Sequence, residues 1–123
     1  MLLVGGESSL RGWVKLALRD SEFRIAGARE RLSRSGGYEV VHRSPGLEIG
    51  VAVVVAPAAD RPPPVEDDKV YVVIEGSGVL EIEGQNVELR EGHAVFVPAG
   101  VDHHLVAYEQ LSLLVIFEKS GRP

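Results

Sequence analysis

A chain of 123 residues suffices for one compact domain and is too short for two ordinary ones. Hydrophobic residues at 45% and charged residues at 25% exclude wholesale disorder, and the lack of cysteine excludes disulfides, zinc ribbons and thiol catalysis. The formal charge of −5 is unevenly spread: through Arg43 there are eight basic and five acidic residues, and beyond it five basic and thirteen acidic. A basic arm therefore precedes an acidic body. The arm lacks interleaved aromatics and the body repels phosphate, so packing of the arm on its own body or on a second copy is expected, and nucleic-acid binding is not.

The first residues, Met1-Leu2-Leu3-Val4, are apolar for only four positions before Gly5-Gly6-Glu7, so no signal peptide is expected. No apolar run nears the roughly 20 residues of a membrane helix. The expectation is a cytoplasmic protein without membrane contact. Residues 8–19 fit a short helix through Trp13, Leu16 and Leu18 or a strand over 13–19. Phe23 to Arg34 reads as a helix with Phe23, Ile25, Ala26, Ala28 and Leu32 on its apolar side. Ser21 or Asp20 is its expected cap, and Gly36-Gly37 its stop.

From Tyr38 onward short β-like runs alternate with turn residues. Strands are expected near 38–43, 46–56, 69–75, 78–83, 86–89, 94–97, 103–108 and 111–118. The breaks include Ser44-Pro45-Gly46, Glu75-Gly76-Ser77-Gly78, Glu83-Gly84, Glu91-Gly92 and Pro98-Ala99-Gly100. The proline-rich stretch 57–64 reads as a stiff extended loop. Eight short strands with regular turns point to an all-β sandwich or barrel. The expected organisation is an arm with a helix over 1–37 and one barrel unit over 38–123. Val51 to Val55 and Leu111 to Phe117 are apolar on both faces. One face must then pack inside and the other against a helix or another subunit, which leads to the expectation of a homodimer.

The spacing Gly92, five residues, Pro98, one residue, Gly100, two residues, His103, with the strand-like Ala94-Val95-Phe96-Val97 inside it, resembles the second motif of the cupin superfamily. Val70-Tyr71-Val72-Val73-Ile74-Glu75-Gly76-Ser77-Gly78 is similar to the second half of the first cupin motif. The resemblance spans about residues 45–118 and implies a double-stranded β-helix, or jelly roll. Metal-binding cupins carry two His and a Glu in the first motif. Counting back from Gly76 puts the Glu position on Lys69, and the His positions on Pro63 and Val65 or on Pro62 and Pro64. His103 alone matches a family ligand. One imidazole beside an ammonium is a poor divalent site, so no metal and no other cofactor is expected. Glu66, Asp67 and Asp68 read as a solvated turn. His104 points away from His103 by strand parity. His93 belongs to a turn, and His42 shares a face with Tyr38 and Val40.

Lys69, Tyr71 and Val73 share one face of their strand, and the resemblance brings His103 towards them at the barrel mouth. A Glu-to-Lys change suits a small organic anion, with Lys69 as its point charge and Tyr71 and His103 orienting it. The expected ligand-binding residues are therefore Lys69, Tyr71 and His103. Two alternatives remain open. One is a cupin enzyme of isomerase, epimerase or dioxygenase type, metal-dependent or using His103 and Tyr71 as acid and base, or Lys69 as a nucleophile. The other is a non-enzymatic dimeric scaffold or sensor anchored by Trp13, Leu16, Phe23 and Leu32.

Overall fold

The computed structural model describes residues 22–55 and 66–119. The eight expected strands all form: β1 (Gly37–Ser44), β2 (Leu47–Val54), β3 (Lys69–Glu75), β4 (Ser77–Ile82), β5 (Gln85–Arg90), β6 (Ala94–Val97), β7 (His103–Tyr108) and β8 (Leu111–Glu118). They form a five-stranded sheet in the order β1-β2-β8-β3-β6 and a three-stranded sheet in the order β5-β4-β7, with every pairing antiparallel. This is the all-β jelly roll. Glycine sets two of its features. Gly76, at φ +92°, turns β3 into β4 where a side chain would collide with the Gln110 carbonyl. Gly50, inside β2, leaves the space filled by the Tyr38 ring from β1.

Period-2 alternation sorts each strand between two faces. Val73, Leu80, Leu89, Val97, Leu111, Leu113 and Val115 form the core between the sheets. On the outer face of the five-stranded sheet, Val51 and Val53 pack against Ala28, Ile25 and Leu32 of α1 (Ile25–Leu32). For β2, the two apolar faces thus have the two coverings the pattern requires. The helix is two residues shorter at each end than the run 23–34. Arg24 is its extended N-cap and makes no side-chain capping bond, while residues 33–35 form a turn that ends with Gly36 N–H donating to the Leu32 carbonyl at 2.8 Å. The caps expected at Asp20 and Ser21, the ambiguous segment 8–19 and the loop 57–64 lie outside the described residues.

One face assignment is corrected. A bulge between Val40 and His42 shifts the register, so His42 pairs with Ile49 rather than keeping step with Tyr38 and Val40. The imidazole therefore lies with the outer-face residues, its ring 5.6 Å from that of Phe23. Arg29 of the helix reaches Glu75 in the acidic part of the chain, and Arg31 pairs with Glu39 on β1, within the basic part. Among the described residues no helix is long and apolar enough to cross a membrane.

Candidate functional site

Lys69 opens β3, between Val97 of β6 and Phe117 of β8. Tyr71 and Val73 follow on the same inner face. His103 opens β7 in the other sheet, opposite Ile82. The site therefore spans the gap between the sheets, and it unites all three residues the sequence singles out. Two of them are, with Ser112, the buried polar residues among those described: Lys69 is 5% exposed and His103 is 2% exposed.

The Tyr71 hydroxyl and His103 Nε2 are 3.2 Å apart, and His103 Nδ1 is 3.0 Å from the Val101 carbonyl oxygen. A carbonyl only accepts, so Nδ1 carries the proton and donates to it. Nε2 is then the acceptor for the Tyr71 O–H. Burial lowers the His103 pKa; the Val101 bond opposes this, and the nearby Lys69 charge adds to the lowering. The neutral ring with its proton on Nδ1 is the form these contacts select. Burial also pushes the Tyr71 phenol up to about 12, so it stays a donor through the physiological range.

Lys69 Nζ lies 5.0 Å from the centroid of the Tyr71 ring and 5.6 Å from that of Phe117. Cation–π attraction at such distances reaches about 2 kcal/mol in a dry site, less than the several kcal/mol needed to desolvate an ammonium. In keeping with that balance, burial pulls the Lys69 pKa from its usual 10.5 down to about 8. Among the described residues no ion pair includes Lys69.

Two further residues shape this mouth, and strand alternation alone does not flag them. Glu48, Phe117 and Lys69 stand in one row across β2, β8 and β3. Tyr38 meets the Phe117 ring edge-on at 6.3 Å and donates its hydroxyl to Glu48 Oε2 at 2.9 Å. Arg43 also donates to Glu48, at 3.3 Å. The signal for this row is register, which becomes readable only once β2 and β3 are known to flank β8.

The remaining polar candidates have structural employment. His104 Nε2 is 3.0 Å from Glu81 Oε1 on the opposite face of β7, as parity requires. The His93 side chain is exposed in its turn. Asp67 pairs with Lys119 at 2.9 Å, and Asp68 Oδ1 accepts the Ala99 N–H at 2.8 Å. The acidic run thus ties down strand ends. Positions 62–65 lie outside the described residues; as prolines and a valine they carry no side-chain donor for a metal. Among the described residues no three His, Asp or Glu side chains group to hold a metal ion. One imidazole, one phenol and one ammonium do not suit a divalent cation.

Known proteins share both the sequence pattern and the architecture. The model of the cupin domain matches residues 51–117. An uncharacterized protein of Streptomyces coelicolor is 31% identical over 90 residues, covering 72% of this chain and 85% of that protein. A protein from Neisseria meningitidis superposes with a TM-score of 0.68 at 19% identity, over 79% of this chain and 98% of the other. KdgF from Halomonas sp. does so with a TM-score of 0.60 at 27% identity, over 68% and 78%. With the motif spacing, the two-sheet topology and the family match in agreement, the chain is a small single-domain member of the cupin family.

Proposed function

We propose that the barrel mouth is a metal-independent pocket for a small organic anion, with Lys69 supplying the charge and Tyr71 and His103 orienting the ligand. The observation that carries this reading is an amine buried at the inner mouth, in no ion pair among the described residues, next to a hydrogen-bonded phenol and imidazole. A bound carboxylate or phosphate would supply the missing counter-charge, in a dry setting where the attraction is strong. At pKa about 8, Lys69 remains mostly an ammonium at neutral pH.

The test is titration calorimetry of the tag-free protein with lactate, pyruvate, succinate and inorganic phosphate. At least one anion should bind with Kd of about 1 mM or tighter, and Lys69→Met should weaken it by about tenfold or more. Absence of binding to all four overturns the reading. So does near-stoichiometric metal, measured by plasma mass spectrometry, that disappears in His103→Ala. That result would favour the metal-dependent enzyme.

A homodimer is proposed beside it, through the outer face of the five-stranded sheet. Ile49, Ile116, Val70 and Phe96 stand in one apolar row there, and Phe96 is 56% exposed. Phe96→Glu should convert a dimer to a monomer in sedimentation; a wild-type monomer at 0.1 mM or so overturns this part.

A further inference from the structure

Burial strengthens an ion pair, but it also favours the free amine, which a lysine serving only as a counter-charge does not use. Lys69 is buried: 5% exposed, it lies beside two aromatic rings on the inner face of the barrel. Lys119 provides the contrast within the same molecule. Its Nζ is 5.4 Å from the centroid of the same Phe117 ring, yet it is bonded to the Asp67 carboxylate at 2.9 Å. Among the described residues Lys69 has no such carboxylate. What sits next to it is Tyr71, whose hydroxyl is hydrogen-bonded to a neutral imidazole. A desolvated amine beside a group able to pass protons is equipped as a nucleophile.

We propose that Lys69 forms an imine with the carbonyl carbon of a small 2-oxo carboxylate. This rests on the reading of the mouth as an anion pocket and names the class of anion. The Nζ lone pair adds to the carbonyl carbon, forming the C–N bond while the C=O π pair moves to oxygen. The oxygen then leaves as water, carrying the two protons that Nζ gives up, as the C=N bond forms. The Tyr71–His103 pair, on the same inner surface, carries protons between nitrogen and oxygen. The imine nitrogen takes one proton from solvent, so the positive charge stays beside the carboxylate. No oxidant or reductant is consumed. Burial serves both halves: it raises the share of free amine, and it excludes the water that would hydrolyse the imine.

The test is reductive trapping. Full-length, tag-free protein is incubated at pH 7 with pyruvate and sodium cyanoborohydride, and its three lysines, Lys15, Lys69 and Lys119, are mapped by peptide mass spectrometry. A parallel sample receives acetaldehyde, a carbonyl without the carboxylate, and lactate binding is measured by calorimetry. A carboxyethyl group should appear on Lys69 at about tenfold or more the level on Lys15 and Lys119. Excess lactate should suppress it. Equal labelling of all three lysines overturns the proposal. Lactate binding without any labelling of Lys69 overturns the imine and leaves the anion pocket standing. Labelling of Lys69 by acetaldehyde but not by pyruvate overturns the 2-oxo carboxylate and the anion pocket together, while showing the amine reactive. Lys69→Arg has no amine able to form the imine, so it should lose the label.

Discussion

The same strands line the two ends of the barrel interior in opposite ways. At one end Val73, Leu80, Leu89, Leu111 and Leu113 close on one another, without a polar side chain in the cluster. At the other, four positions along β3 from Val73 and along β8 from Leu113, the rows end on Lys69 and Phe117, with Tyr71 between and His103 entering from β7. The first end obeys every rule of core building. The second carries a buried amine with no ion-pair partner among the described residues, beside the one residue that matches a family ligand. Such local violations are where function is sought, because a folded chain retains them only against the pull of stability. Removing the buried amine at one end and a packed leucine at the other should therefore shift stability in opposite directions.

The largest effect belongs to the apolar end. Leu89 is fully buried. Leu89→Ala removes packed methyl groups and leaves a cavity, and should lower the unfolding free energy by about 2–5 kcal/mol in urea denaturation. A loss below about 1 kcal/mol would mean that this end is loosely packed and that the contrast between the ends is false.

At the mouth the sign reverses. Lys69→Met replaces a desolvated ammonium with an apolar chain of similar length, and should raise stability at pH 7 by about 1–3 kcal/mol. The pH dependence gives an independent reading. The folded pKa of about 8 lies below the ordinary lysine value of 10.5. Between those values the unfolded chain holds a proton that the folded one has released. Wild-type stability should thus rise with pH across that window, by at most about 3 kcal/mol, and fall back below it. Tyr71 works in the opposite direction only from about pH 10 upward, where the unfolded chain loses its phenol proton and the folded one keeps it to about 12. The rise between pH 8 and 10 should vanish in Lys69→Met; if it persists, Lys69 is not its source.

How much of this was legible beforehand follows from which interactions are local. The strand ends were, to within about two residues, because Gly and Pro turn chemistry is written in adjacent positions. The trio Lys69, Tyr71 and His103 was legible through motif spacing, which places β3 and β7 in a known architecture. The side on which His42 falls was not, because a bulge is a one-residue slip decided by its partner strand. Glu48 and Tyr38 were missed for a similar reason. Their place at the mouth depends on β2 lying next to β8, across more than 50 residues of chain. The missing cap of α1 is a different case: its packing on Val51 and Val53 substitutes for a local signal.

A smaller effect is expected where the mouth is internally satisfied. Tyr71→Phe keeps the ring and its contact with Lys69 but leaves His103 Nε2 buried without its donor. The loss should be about 1–2 kcal/mol. Nitrogen-15 spectra of His103 should show the proton on Nδ1 in both proteins, because the Val101 carbonyl still requires it. A proton found on Nε2 in the wild type would reverse the Tyr71 hydrogen bond and remove the relay. Because burial lowers the His103 pKa, the unfolded state takes up a proton first as pH falls below about 6.5, so wild-type stability should decline there.

The smallest effect sharpens the comparison most finely, because it concerns adjacent residues. His103 and His104 differ by one step of a strand, and that step carries one inside and the other out. His104 pairs with Glu81 across the outer face, where both side chains keep part of their solvent. Pairs of that kind contribute about 0.2–1 kcal/mol. His104→Gln should therefore lower stability by no more than about 1 kcal/mol and leave lactate binding and Lys69 labelling unchanged. His103→Gln should weaken both, since it removes the acceptor for the Tyr71 hydroxyl. If the two substitutions instead affect binding alike, the recognition surface lies on the outside of β7, and the buried amine has no part in it.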